Sequence, residues 1–292
     1  MTAKKKARIA MIARFLIAIA VLVVMLFPVY WMVTMAFKPN VEWTPTTGET
    51  FWIPQDWTTA NFTRLFGIQE DGAASFLVST PIDAMPSIWH SLIASIGGTL
   101  LALLAGVSTA YGISRFKAGG GALPFQILQL RMFPPIAVII PILFLWTYLQ
   151  LFDTLIGLIL IYGAVTFPFV VWLMRSFFDE IPREIAEAAI VDGCTPFGAF
   201  RRAVLPLVRG GLATTALFVF ILNWSDFLIA LVLTDANTQT APVFLSQLRT
   251  AGGQEFGAQA ALAVILVSLP VLISIVIQKH LVRGLTFGAV KR

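Results

Sequence analysis

The sequence predicts an all-α integral membrane protein with six transmembrane helices and both termini in the cytoplasm. Three observations lead there. Of 292 residues, 58% are hydrophobic and only 12% charged, where an ordinary soluble domain carries roughly 25% charged residues. Six apolar runs are each long enough to cross a bilayer core, which takes about 20 helical residues. The basic residues gather on one side of the alternation that those runs impose.

The runs lie at about 15–37, 87–112, 123–147, 155–178, 207–233 and 258–281. The first follows MTAKKKARIAMIAR, and its apolar stretch from Phe15 to about Phe37 exceeds the roughly 7–15 residues of a cleaved signal core. It is read as a retained span that also targets the chain. The loop from Lys38 to Pro86 holds TPTTGETFWIPQDWTTANF, with Trp43, Trp52 and Trp57 among turn-forming residues. Tryptophans there serve as interfacial anchors or touch a soluble partner.

His90-Ser91 opens the second run, and His90 is read as a packed or interfacial residue rather than a ligand. Three glycines at 119–121 mark a tight turn before the third run. That run carries Pro134, Pro135 and Pro141, and the fourth carries Pro168. Proline frees a backbone carbonyl and kinks a helix, which is tolerated where the backbone is re-satisfied or faces a cavity. Pro134 and Pro135 therefore mark either a gated path near mid-membrane or a static kink.

Two ionisable residues fall inside runs, where charge is costly and a functional role is the default hypothesis. Arg131 is near enough to one end for its stem to snorkel to the interface. Asp226, in LNWSDFLIALVLT with Asn223 and Trp224 beside it, is shorter and harder to accommodate. Aromatic faces and polar side chains of this kind suit sugar recognition; the plain alternative is packing against a partner subunit.

The segments on the side of the N-terminus hold 16 Lys+Arg and 5 Asp+Glu, whereas those on the other side hold Lys38, Arg64 and Arg249 against 9 acids. This is a positive-inside signal and places both termini in the cytoplasm. The net charge of +5 reports the same asymmetry, with its basic residues dispersed along a membrane face, so nucleic acid is not an expected partner. The one cysteine, Cys194, cannot form an internal disulfide.

Between the fourth and fifth runs, at about 179–206, lies DEIPREIAEAAIVDGCTPFGAFRRAVLP. Pro182 suits a first helical turn, EIAEAA favours helix, and Gly193 is placed to end it in a left-handed conformation. Thr195 then serves as N-cap, with Pro196 opening a second helix. Phe197, Phe200 and Val204 share one face of it, offering two aromatics that either lie in lipid headgroups or dock into a groove on another protein.

Glu187-Ala188-Ala189, Asp192-Gly193, Phe200 and Leu205-Pro206 reproduce the E-A-A-x-x-D-G pattern followed by a hydrophobic helix and L-P. In this the chain resembles the permease subunits of bacterial ABC importers. FPVYWMVTMAFKP, AYGISRF, PPIAVIIPI, FPFVVWLMRSFFDEIP and RGLTFGAVKR extend the resemblance to the carbohydrate branch, similar to the shorter permease of maltose-type systems. Where that family commonly shows W-N-E-F, this chain reads Trp224-Ser225-Asp226-Phe227, and Cys194 stands where alanine is usual.

The resemblance implies one permease domain over 1–292 in the bacterial inner membrane. It further implies a second homologous permease, a dimer of ATP-binding cassette ATPases carrying ATP and Mg, and an extracytoplasmic solute-binding protein. The cargo it implies is a sugar, oligosaccharide or polyol. The loop is implied to couple to the ATPase through Glu187, Ala188, Ala189, Asp192, Gly193, Phe197, Phe200, Leu205 and Pro206. In these roles Gly193 allows the turn, Phe200 supplies an apolar plug, and Glu187 and Asp192 cap backbone N–H groups or meet partner cations.

No G-x-x-x-x-G-K-[ST] loop, G-x-S-x-G elbow or metal-spaced His/Cys/Glu cluster occurs, so neither catalysis nor a cofactor is expected on this chain. A stand-alone carrier or channel is the alternative function. An ion-coupled carrier calls for more intramembrane carboxylates than Asp226 alone, and has no use for a docking loop. A membrane scaffold without transport leaves the proline-rich third run unused.

Overall fold

The computed structural model describes residues 3–39, 42–43, 52–68, 82–132, 134–250, 253–254 and 256–287. It is an all-helical membrane fold. Twelve helices follow in order among the described residues: α1 (Ala3–Ala36), α2 (Ala60–Leu65), α3 (Met85–Phe116), α4 (Leu123–Gln129), α5 (Pro135–Tyr148), α6 (Leu155–Asp179), α7 (Arg183–Val191), α8 (Pro196–Ala199), α9 (Arg209–Trp224), α10 (Leu228–Leu233), α11 (Ala241–Gln247) and α12 (Phe256–Phe287). A π-helical segment, Phe200–Val204, continues α8. Strands β1 (Arg249–Thr250) and β2 (Gly253–Gln254) form a two-residue antiparallel hairpin.

Among the described residues four helices are long and apolar enough to cross a bilayer, at Ala10–Ala36, Met85–Phe116, Leu155–Asp179 and Phe256–Gln278, and a fifth is added if the bent pair Pro196–Val204 and Arg209–Trp224 counts as one span. The runs expected at 123–147 and 207–233 are not unbroken helices. In the first, Pro134 takes an extended ψ of 125° and α5 starts afresh at Pro135, because a residue before proline is driven out of the helical region and proline has no N–H to donate. In the second, α9 stops at Trp224 and α10 begins three residues after Ser225, with Asp226 in the gap. Hydropathy reads through such breaks because it counts apolar residues, not backbone bonds.

The chain forms two compact units. The first comprises 1–85 and 245–267. Asn61 is its pin, the side-chain amide donating to Ala36 O and Lys38 O, both at 2.9 Å, so that two carbonyls left open where α1 ends are satisfied. Glu42 accepts from the backbone N–H groups of Gln55 and Asp56. Trp43 donates to Lys38 O, Trp52 packs on Phe27 and Trp31, and Trp57 on Phe37, with Trp52 and Trp57 exposed. Residues 44–51 and 69–81 of this expected loop lie outside the described residues.

The second unit comprises 86–244 and 268–292. α3, α6 and α9 form its core, with Ala102, Val107, Ala110, Val170, Met174 and Val219 among the buried residues. Small residues set the α3–α6 distance: a Cβ at Gly98 meets Tyr162 Cβ at 2.6 Å, and one at Gly106 meets Val170 Cγ1 at 2.6 Å. Asn223 of α9 donates to Thr99 of α3 at 3.2 Å. His90 Nδ1 lies 3.2 Å from Gln239 O, and Ser91 Oγ accepts from Ala241 N, so both residues at the start of α3 pack against the entry to α11.

Asp153, before α6, ties this unit together at one end. Its carboxylate accepts from the N–H of Asp235 at 2.9 Å and Thr238 at 3.0 Å, from the Thr238 hydroxyl at 2.8 Å, and from the Asn237 N–H and side-chain amide at 3.1 and 2.7 Å. Partial burial pushes its pKa up, but these hydrogen bonds outweigh that and hold it below the usual carboxylate value.

Candidate functional site

Two features of the second unit concentrate chemistry: the loop between α6 and α9, and a cavity beside the α9–α10 break.

The loop starts from an anchored base. Arg115, one residue before the end of α3, donates through Nη2 to Phe178 O at 2.9 Å and Ile181 O at 2.8 Å. A cation thereby satisfies carbonyls at the C-terminal end of α6, where the helix dipole is negative. Ser114 donates to Asp179, whose other oxygen pairs with Arg175 at 3.3 Å. Sequence reasoning missed Ser114 and Arg115 as anchors, although AYGISRF contains both.

From this base α7 runs to Val191 and closes through backbone bonds from Asp192 N to Ala188 O, Gly193 N to Ile190 O and Cys194 N to Ala189 O. Gly193 has φ +89°, the left-handed conformation its position predicts. Thr195 accepts from Gly198 N at 3.1 Å, so it is the N-cap expected of it, with Pro196 in the first turn. Pro182 sits one position earlier than expected, at the N-cap with Arg183 following.

The side chains divide differently from the expectation. Phe200 is not an exposed plug: its ring packs 4.6 Å from Tyr111 and 6.2 Å from Phe178, and Val204 is fully buried. The π-helical turn, closed by Leu205 N to Phe200 O at 2.8 Å, shifts the phase of the stripe and turns it inward. Phe197 is 70% exposed and Val191 87% exposed, and these two form the outward apolar pair. Glu187, Ala188, Asp192, Gly193 and Pro206 are also exposed, with Ala189 and Leu205 half-buried.

Neither Glu187 nor Asp192 uses its carboxylate to cap a backbone N–H among the described residues. The polypeptide turns by 87° between the Pro196–Val204 helix and α9.

The cavity, about 620 Å³, is lined by α5, α6 and the α9–α10 junction. Asp226 is held by one oxygen: Oδ2 accepts from the Tyr162 hydroxyl at 3.2 Å and from Ile229 N and Ala230 N at 3.1 and 3.2 Å. It thus caps α10. Asn223, Pro135 and Arg131 also line the space. The Arg131 guanidinium lies over the Phe169 ring at 4.5 Å.

Two expected path residues are elsewhere. Trp224 is buried and stacks on Phe220, one turn back along α9, so it presents no aromatic face to the cavity. Pro134 is exposed outside the lining. Tyr162 was not anticipated, since its link to Asp226 spans 64 residues.

Comparison with known proteins agrees with this architecture. Residues 98–287 match the model of the family described as binding-protein-dependent transport system inner membrane component. A probable ABC transporter permease protein of Sinorhizobium fredii is 37% identical over 269 residues, covering 92% of this chain and 91% of its own. The trehalose transport system permease protein SugB of Mycobacterium tuberculosis is 35% identical (91% and 92% covered), and the diacetylchitobiose uptake system permease protein DasC of Streptomyces coelicolor is 33% identical (94% and 95% covered). Among solved structures, a chain from a bacterial ABC transporter involved in import of the acidic polysaccharide alginate superposes with a TM-score of 0.75 at 21% identity, covering 96% of this chain and 98% of that one. The chain belongs to the family of binding-protein-dependent transport system inner membrane components, the membrane-spanning permease subunits of ABC transporters.

Proposed function

We propose that this permease imports a sugar, oligosaccharide or polyol, with the whole chain, 1–292, acting as one six-pass domain. In this reading α4–α5 together make the third pass and α9–α10 the fifth, and both termini lie in the cytoplasm on the strength of the charge asymmetry. A second, similar permease completes the translocation path, and an extracytoplasmic binding protein delivers the cargo. ATP and Mg reside on a separate ATPase dimer. The relatives named for trehalose and diacetylchitobiose support the cargo class.

The observation that carries the coupling role is the division of the 179–206 loop. Its base is fixed by Arg115, Tyr111 and Phe200, while Val191, Phe197, Glu187 and Asp192 are exposed, Phe197 touching only the edge of the base at Phe200. An apolar centre flanked by acids on a rigid mount suits a groove with a basic rim on the ATPase. Since Phe200 stays with the core in this arrangement, its part is to hold the loop and Phe197 is the inserted residue.

The test is co-purification of the ATPase with Phe197→Asp and Gly193→Pro permeases. Loss of the ATPase with membrane insertion retained is expected; intact complexes from both variants refute the role.

A further inference from the structure

We propose that Asp226 and Arg131 form a charge-balanced binding subsite for a neutral sugar or polyol within the cavity. This rests on the chain being a sugar permease, and it adds a place where this subunit itself recognises the cargo.

The cavity volume, about 620 Å³, falls within the roughly 300–1,000 Å³ typical of small-molecule sites. Asp226 is clamped by three donors on Oδ2, which fixes its rotamer, while Oδ1 accepts from no described residue. The Arg131 guanidinium lies over the Phe169 ring and donates no hydrogen bond to a described residue, so its N–H groups remain usable. Both charged groups line the same cavity, yet they do not form an ion pair among the described residues.

An acceptor and a donor set, each with unused valence, stand in mostly apolar walls that include Ile139, Ile161 and Val165, with Thr166, Asn223 and Ser225 as further polar groups. Charged groups in such surroundings are costly unless hydrogen-bonded. The hydroxyl groups of a sugar can satisfy both, donating to Oδ1 and accepting from the guanidinium, and its C–H faces suit the aliphatic walls. An anionic sugar gains at Arg131 but is opposed at Asp226, and a cationic one the reverse. The balanced pair therefore selects against net charge.

The experiment uses the complete transporter in lipid nanodiscs, without binding protein, and measures equilibrium binding of trehalose, maltose and diacetylchitobiose, with trehalose 6-phosphate as the anionic probe. At least one neutral disaccharide is expected to bind, and Arg131→Gln to weaken it at least tenfold. Asp226→Asn keeps the cap on α10 and is expected to shift the neutral-to-anionic preference at least tenfold toward the phosphate. Asp226→Ala serves as a comparison only where the complex stays monodisperse. The proposal is overturned if no neutral probe binds the wild-type complex, or if both Arg131→Gln and Asp226→Asn leave affinities and preference unchanged. ATPase stimulation by a cargo-loaded binding protein is recorded in parallel: stimulation without sugar binding sinks the subsite alone, whereas absence of any associated ATPase sinks the importer reading itself.

Discussion

Asp153 offers a clean perturbation of the fold. Five hydrogen bonds converge on its carboxylate from the segment after α10, and its own backbone sits at φ +51°. Replacement by alanine removes the acceptors and leaves a β-carbon in the left-handed region without the side-chain bonding that makes aspartate tolerable there. The strain is about 1 kcal/mol. Losing a charge-assisted network at a half-exposed site, where water can replace part of it, costs about 2 kcal/mol more. Asp153→Ala is therefore expected to cost about 3 kcal/mol, and Asp153→Asn, which keeps one acceptor oxygen and tolerates the backbone, about half as much.

The pH dependence has a definite sign. The folded-state pKa lies below the unfolded value, so the stabilisation is fully present above the unfolded pKa, about 4, and is lost as pH falls through the lower folded value. Thermal unfolding of the purified wild-type and variant proteins in detergent reads this directly. A gap in melting temperature that is wide at pH 7 and narrows on acidification below pH 4, leaving the part due to backbone strain, is expected. Equal melting at pH 7, or a gap that does not change with pH, refutes the reasoning.

Two further outcomes follow from packing and from the loop base. Gly106→Leu drives a side chain into Val170, whose Cγ1 and Cβ lie 2.6 and 2.7 Å from the new Cβ position, and a β-branched side chain packed this close to its own backbone has little room to yield. A loss of about 3 kcal/mol or failure to accumulate in the membrane is expected, and a wild-type melting curve contradicts the close α3–α6 approach. Arg115→Ala leaves Phe178 O and Ile181 O without their shared donor. Hydrogen exchange over 178–190 is expected to speed up while exchange in α3 above Gly106 stays unchanged; unaltered exchange in the loop shows that Arg115 does not hold it.

Much of the architecture is legible in the sequence because it depends on local rules. The membrane class follows from composition, and the loop's helix, glycine turn and capped second helix follow from Gly193, Thr195 and Pro196, whose preferences act within a few residues. The break between α4 and α5 was equally local, since Pro134-Pro135 announces it, but hydropathy averaging hides a backbone event. The inward packing of Phe200 was not legible for a different reason. Helical periodicity puts Phe197, Phe200 and Val204 on one stripe but does not say whether the stripe faces the core, and the π-helical turn at 200–204 changes the phase.

The cavity shows the limit most clearly. Asp226 stands out as an intramembrane acid, yet its partner Tyr162 and the stacked Arg131 come from other helices, brought near by the α3–α6 glycine contacts and the Pro134 break. Trp224, beside Asp226 in sequence, turns away because α9 ends there and its ring stacks back on Phe220. Neighbours along the chain were legible; neighbours across helices were not.

The measurement that bears most directly on the coupling role is photo-cross-linking from position 197. A benzoylphenylalanine placed there, in the intact transporter in native membranes, samples whatever the exposed ring of Phe197 touches. A cross-link to the ATP-binding subunit, changing in yield between nucleotide-free and ATP-trapped complexes, is the result expected. Adducts to lipid alone, in a preparation that still hydrolyses ATP, contradict the account.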